Sequence, residues 1–355
     1  MACLGVDRST VTNSLDPTRK EIVQVGLMDD VTFGYFALAS LVIIGGVINI
    51  AGLIFNSINI IVFIKLGFTD TINISLLSLA IADIGIHITM IGYVVIYSPE
   101  MTQDKTNIEL IYAVSYLILG WPHVMFSRIS GCLTAFISLE RFLCIAVPLK
   151  VKTLITKKRT AIISCSIYGF MICSVIPAFV ANKIGPKFDT ESNVTVIGLI
   201  TIDNSDAIEN ISLAITNFVE LAVFALVVIF TVGLIQKFVD ISKWRKHAAS
   251  ASKIRTLSTR DNVLVKMVLF ISGVFIICSF PGVVGTIALL FAKDYNVKGK
   301  EVYVFLASFS VFLNIASLNS TVSIFIYLRM SSRFKQVFRA FFVSSVPVCA
   351  PVYKD

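Results

Sequence analysis

The stretch ISLERFLCIAVPLK, residues 137–150, places Glu140 beside Arg141 at the end of a long apolar run, with Pro148, Leu149 and Lys150 shortly after. Adjacent opposite charges at the end of a membrane-length helix are costly unless both find partners. Between 108 and 139 only Glu109 and Arg128 are charged. The run is therefore long and apolar enough to cross a bilayer, and the Glu140–Arg141 pair marks where it leaves.

The whole chain is built this way. Of its 355 residues 56% are hydrophobic and only 15% charged, and mean hydropathy is +0.86. A soluble domain carries about 25% charged residues, so this chain cannot cover a globular surface with polar groups. The formal charge of +8 can signal nucleic acid or a membrane surface. Here the basic residues fall between apolar runs, which selects membrane and no nucleic acid. The seven cysteines include no C-x-x-C pair, and histidine is scarce, which argues against a zinc site or a disulfide scaffold. The first 30 residues are polar and show no cleavable leader; a first membrane helix can serve as the targeting signal.

A bilayer core needs about 20 mostly apolar helical residues. Seven runs qualify: 34–64, 71–98, 108–142, 158–181, 211–237, 263–292 and 301–328. The expected fold is an all-α membrane protein, a seven-transmembrane helix bundle. Residues 1–33 form the extracellular N-terminus, 34–328 the membrane domain, and 329–355 a short amphipathic helix 8 and cytoplasmic tail. With the N-terminus outside, 20 of the 30 Lys and Arg residues face the cytoplasm, as the positive-inside rule requires. Plasma membrane, multi-pass, with a cytoplasmic C-terminus is the expected placement. Asn193-Val-Thr and Asn210-Ile-Ser are glycosylation acceptors expected in the outer loop before helix 5. Asn73-Ile-Ser matches the same pattern on the cytoplasmic side, where it would not be modified. In SSRFKQVFRAFF, 331–342, Phe334, Val337, Phe338 and Phe341 share one helical face among basic residues. Such a helix lies on membrane lipid. Cys349 beyond it is either palmitoylated or an unmodified tail thiol.

The polar positions within the runs bring a resemblance. Asn56, Asp83 in SLAIAD, ERF at 140–142, Pro148-Leu149, FIICSFP with Phe275, Cys278 and Pro281, and SIFIY with Tyr327 and Phe334 occur in one order on the matching helices. In this the chain resembles a rhodopsin-like (class A) G-protein-coupled receptor over essentially all seven helices. It departs from that pattern at Ser279, where the family has tryptophan, and at Ser323-Ile324, where it has Asn-Pro. Tyr116 stands at the usual helix 3 cysteine, and 182–210 holds no cysteine, so the usual disulfide to that loop cannot form. This combination resembles divergent invertebrate, molluscan-type chemosensory receptors, and orphan peptide receptors.

The resemblance implies a detector of an extracellular ligand that activates a heterotrimeric G protein. It brings Asp261 near Arg141, so that Glu140 and Asp261 together hold Arg141 at rest. Phe275, Pro281 and Tyr327 complete the switch, with Pro281 as pivot of helix 6. Arg141, Pro148 and Leu149 would meet the G protein. Asp83, Ser130, Asn319 and Ser320 correspond to the family's sodium pocket; the alternative is a hydrogen-bonded, protonated Asp83 with water alone. No other cofactor is implied. His123 stands where amine receptors carry an aspartate, which disfavours a monoamine. His123, Ser127, Arg128, Glu220, Thr286, Asn314 and Ser317 are the candidate ligand contacts. Arg128 and Glu220 form either a structural pair or an anchor for a ligand carboxylate. The ligand is a chemosensory small molecule, or alternatively a neuropeptide drawn by the acidic outer segments. A transporter or channel would show inverted repeats or paired broken helices, which are not apparent. No G-x-S-x-G, H-E-x-x-H or phosphate-loop pattern suggests an enzyme.

Overall fold

The helices stop where the sequence supplies caps and breakers. Asp29 opens the first, its side chain accepting a hydrogen bond from the Thr32 amide at 3.1 Å. Gly67, at φ 74°, closes it in a conformation other residues rarely adopt. Val147, at φ −135° and ψ 61°, leaves the helical region just before Pro148 and ends the third helix. Thr156 caps the fourth through the Arg159 amide at 3.3 Å.

The computed structural model describes residues 27–68, 70–102, 108–189, 194–248, 259–292, 294–295 and 299–342. Seven helices in it are long and apolar enough to cross a membrane. They are α1 (Val31–Leu66), α2 (Thr71–Ile96), α3 (Ile108–Ala146) and α4 (Lys157–Ala181), then α5 (Ser205–Ala248) and α6 (Thr259–Phe291), then α7 (Val302–Met330). The amphipathic α8 spans Ser332–Phe342. The boundaries follow the apolar runs except at α5, which starts before position 211 and continues past 237. Asn210 consequently lies on an exposed early turn of α5 rather than in the preceding loop. The polar residues at its start, from Ser205 to Asn210, are tolerated in the helix because that end stands beyond the apolar layer. Asn193 and Cys349 lie outside the described residues.

Each helix packs against the next, and α7 closes the ring on α1. α3 runs through the middle, touching α2, α4, α5 and α6. It buries 61% of its most apolar window, against 22% for α5. The core around it includes Ile129, Leu133 and Ile137 with Leu79, Met171 and Leu234. Large apolar side chains such as Phe170, Phe218, Ile229, Ile277 and Phe325 point outward and remain exposed. In water so much exposed apolar surface would drive association; in a bilayer it is the solvent-facing surface.

At the end of the bundle expected to face outward, β1 (Asn182–Asp189) and β2 (Val194–Thr201) form an antiparallel hairpin. Ile184 and Leu199, paired across it, pack on Leu117, Trp121, Val175 and Ala178 of α3 and α4. Lys187 lies 3.6 Å from Glu109, and Asn182 donates to Glu209 at 2.9 Å. Apolar packing and these polar contacts dock the loop on the outer end of α3. On the inner side Phe334 of α8 is buried against Phe63 and Tyr327, while Arg333 reaches Asp70 at 3.5 Å.

α1 and α2 approach closely at Gly52. A Cβ there would stand 2.2 Å from the His87 ring, far inside van der Waals contact. Gly52→Ala should therefore lower stability by roughly 1–3 kcal/mol, read as the melting temperature of purified protein in lipid nanodiscs. In a His87→Ala background the same change should cost less, because the ring is gone and the Thr321 hydroxyl, 2.6 Å from the added carbon, is what still has to give; equal cost in both backgrounds would contradict the packing described.

Candidate functional site

Polar side chains inside the bundle gather at three levels along α3. At the outer level Arg128 Nη2 lies 2.6 Å from Glu220 Oε2 of α5, and Arg128 Nε donates to the Thr216 carbonyl at 3.2 Å. Thr286 of α6 donates to the same Glu220 oxygen at 2.7 Å. One carboxylate thus ties α3, α5 and α6 together. The side chains of Arg128 and Glu220 retain 18% and 13% of their exposure, so the pair is neither dry nor fully solvated. A cavity of about 40 Å³ adjoins it on the inner side, walled by Ser127, Val223, Phe224, Phe275, Ser279 and Val283.

The other expected ligand residues face elsewhere. His123 is buried, with Nδ1 3.1 Å from the Thr89 hydroxyl of α2. Asn314 donates to the Ser40 carbonyl at 2.9 Å and the Ser40 hydroxyl at 3.0 Å. The wide π-helical turn over Leu38–Ile44 presents that carbonyl, and Asn314 satisfies it. Ser317 is fully buried, and its hydroxyl has no hydrogen-bond partner among the described residues. The structure therefore groups Ser127, Arg128, Glu220 and Thr286, and sets His123, Asn314 and Ser317 apart at helix contacts.

At the middle level Ser130 donates to Asp83 at 2.8 Å. Asp83, Ser130, Thr134, Asn319 and Ser323 share a cavity of about 10 Å³, roughly the space of one water. Its all-oxygen donor set, with one carboxylate, fits a small hard cation as well as water. Ser320 does not join it. Its hydroxyl lies 3.1 Å from His87 Nε2, because Ser320 occupies the face of α7 turned to α1 and α2.

His87, one turn beyond Asp83, went unnoticed among the sequence candidates. Asn49 donates its amide to the Gly45 carbonyl at 2.8 Å, leaving its oxygen to accept from His87 Nδ1 at 2.9 Å. Nε2 then accepts, facing the Asn56 amide at 3.3 Å and the Ser320 hydroxyl. Asn56 also donates to the Ser320 carbonyl at 3.2 Å. This neutral imidazole joins α1, α2 and α7. The available signal was its i+4 spacing from Asp83, on the same helix face.

At the inner level Arg141 Nη2 lies 2.6 Å from Glu140 Oε1, and Glu140 is wholly buried. Thr71 and Ser75, in the first turns of α2, also donate to the Glu140 carboxylate. Arg141 Nε has no hydrogen-bond partner among the described residues. Asp261 lies on the first turn of α6, and its side chain falls outside the described residues, as does that of Leu149. Pro148, itself exposed, opens a short helix, Pro148–Leu154, whose Val151 is buried. A further tie missed in the sequence joins α3 to α6: the buried hydroxyls of Ser138 and Ser272 are 2.7 Å apart.

The profile described as 7 transmembrane receptor (rhodopsin family) matches residues 57–330. The chain belongs to that family. Growth hormone secretagogue receptor type 1 of Rattus norvegicus is 25% identical over 210 residues, 56% of this chain and 53% of the relative. The receptors of the same name from Mus musculus and Sus scrofa are each 26% identical over similar lengths. The chain spans about half the length of these curated relatives. Both ion pairs, Glu140–Arg141 and Arg128–Glu220, lie within the residues that match the family.

A half-buried ion pair with two further hydrogen bonds should contribute more than a surface pair and less than a buried one. Arg128→Gln and Glu220→Gln should each lower stability by roughly 1–3 kcal/mol, read as detergent melting temperature. The exchange R128E/E220R should recover part of that loss. Single variants that melt like the parent would refute the tie.

Proposed function

We propose that this receptor detects an extracellular ligand between the outer halves of α3, α5 and α6 and activates a heterotrimeric G protein at its inner face. The observation that carries the reading is the placement of two charge clusters on α3. The outer one joins three helices beside a cavity, and the inner one sits where α3 leaves the apolar layer. A ligand that alters the first changes how α3, α5 and α6 pack, and the second lies at the other end of the same rod.

At rest Arg141 is held by Glu140, and by Asp261 from α6. Ser138 and Ser272 reinforce the same α3–α6 contact. Release of these ties lets the inner end of α6 move about Pro281, exposing Arg141, Pro148 and Leu149 to the G protein. Such a two-position equilibrium needs only a small bias from the ligand. The distribution of lysine and arginine supports an orientation with the N-terminus outside, and a receptor for an extracellular ligand would sit in the plasma membrane. Asn193 and Asn210 would then be available for glycosylation, and Cys349 for palmitoylation.

A small, chemosensory ligand fits the modest cavity and its mixed lining of two serines, two aromatic rings and an ion pair. A secretagogue or peptide ligand is the second reading. The named relatives favour it, and the segments expected outside carry acidic residues such as Glu100, Glu109, Asp203 and Asp206.

Expression with a panel of G proteins tests the proposal by nucleotide exchange, calcium and cyclic AMP. Glu140→Gln and Asp261→Asn should each raise basal exchange several-fold; a bias of about 1.4 kcal/mol would give a tenfold change. Unchanged or lower basal output from well-expressed variants would count against the lock. Absence of exchange with every G protein, for the parent and both variants, would count against the receptor reading.

A further inference from the structure

The ion pair beside the outer cavity restricts the chemistry of what can bind there. Its contacts employ Arg128 Nε and Nη2 and Glu220 Oε2, and leave Arg128 Nη1 and Glu220 Oε1 outside them. Each member also has an anchor on its own account. Arg128 keeps the Thr216 carbonyl, and Glu220 keeps the Thr286 hydroxyl. The two side chains can therefore part slightly while each stays tethered.

A ligand with one charge cannot use this site well. An anion that takes Arg128 leaves Glu220 without its cation. A cation that takes Glu220 strands Arg128. A stranded charge in a half-buried place is strongly unfavourable. A ligand bearing both charges close together satisfies both residues and leaves the net charge of the site at zero. Its carboxylate can meet the Arg128 guanidinium as a fork, and its ammonium can meet Glu220.

The neighbouring cavity sets the rest of the molecule. Its volume of about 40 Å³ is roughly that of three waters, or a branched group of three or four carbons. Val223, Phe224, Phe275 and Val283 give that space an apolar wall, and Ser127 and Ser279 add two hydroxyls to it. We propose that the Arg128–Glu220 pair is the head-group site for a zwitterion of the α-amino-acid type, whose short aliphatic side group fills the cavity on the inner side. This rests on the receptor reading for where the ligand enters, and on the ion pair for what the ligand is.

The test uses the full-length receptor in lipid nanodiscs and reads its melting temperature, which needs no G protein. Signalling could fail while binding succeeds, so the two readings fail separately. The probes are the twenty common amino acids, with leucine, isopentylamine and 4-methylpentanoate as a triad sharing one aliphatic body. Leucine, or another branched aliphatic amino acid, should stabilise the receptor at concentrations roughly tenfold or more below those its amine and acid analogues need. Glu220→Gln should shift preference toward 4-methylpentanoate, and Arg128→Gln toward isopentylamine. The exchange R128E/E220R should keep the preference for the zwitterion. The parent arm decides even where a variant does not fold. Equal action of the triad, no stabilisation by any amino acid, or folded single variants that retain the parent's order would each overturn the assignment.

Discussion

Along its inner half α3 carries no exposed residue and is covered on several sides by neighbours. That constraint governs the rest of the structure. A polar side chain there must find its partner in protein, in its own backbone as Thr134 does with the Ser130 carbonyl or on a neighbouring helix, because lipid supplies none. His123 turns to Thr89 of α2, Arg128 to Glu220 of α5, Ser130 to Asp83 of α2 and Ser138 to Ser272 of α6. Glu140 takes Thr71 and Ser75 of α2 along with its own neighbour Arg141. The polar sequence of α3 thus specifies which helix lies against it at each turn. Leucine in all these places would make the bundle more apolar and leave its register much less defined.

The fold was legible because the bilayer sets a length and the sequence respects it. Runs such as 71–98 and 158–181 differ from α2 and α4 by only a residue or two at each end. The Arg128–Glu220 pairing was also legible, since two opposite charges in apolar helices have few other options. The direction of uncharged polar groups was not. Asn314 looked like a pocket residue, yet the wide turn in α1 supplies a carbonyl that claims it. Nothing in the spacing of Ser40 from its neighbours announces that turn. His87 was overlooked for a related reason. A single histidine among apolar residues is uninformative until Gly52 and Asn49, distant in sequence, are seen to make room and a hydrogen bond for it. The outer hairpin was unforeseen too, since its docking rests on the Ile184–Leu199 pair against Trp121 rather than on a disulfide.

Two of the ties described above reach α6, and they lie on opposite sides of Pro281. Thr286 holds the outer segment through Glu220, and Ser272 holds the inner segment through Ser138. The residues are 14 apart in sequence, roughly 21 Å along a helix. Pro281 lacks an amide hydrogen and crowds the preceding turn, at a cost of about 3 kcal/mol in a regular helix. Bending is therefore easiest between the two attachments. A helix fastened at both ends with its weak point between them does not shift as a unit. It can release the inner attachment, a single pair of hydroxyls reinforced by whatever Arg141 holds, while the outer attachment keeps its ion pair. The stronger tie lies on the side where a ligand would arrive, and the weaker on the side where motion is needed. On the proposed function, strain introduced at Glu220 would be expressed at Ser272 before it could break the bundle open.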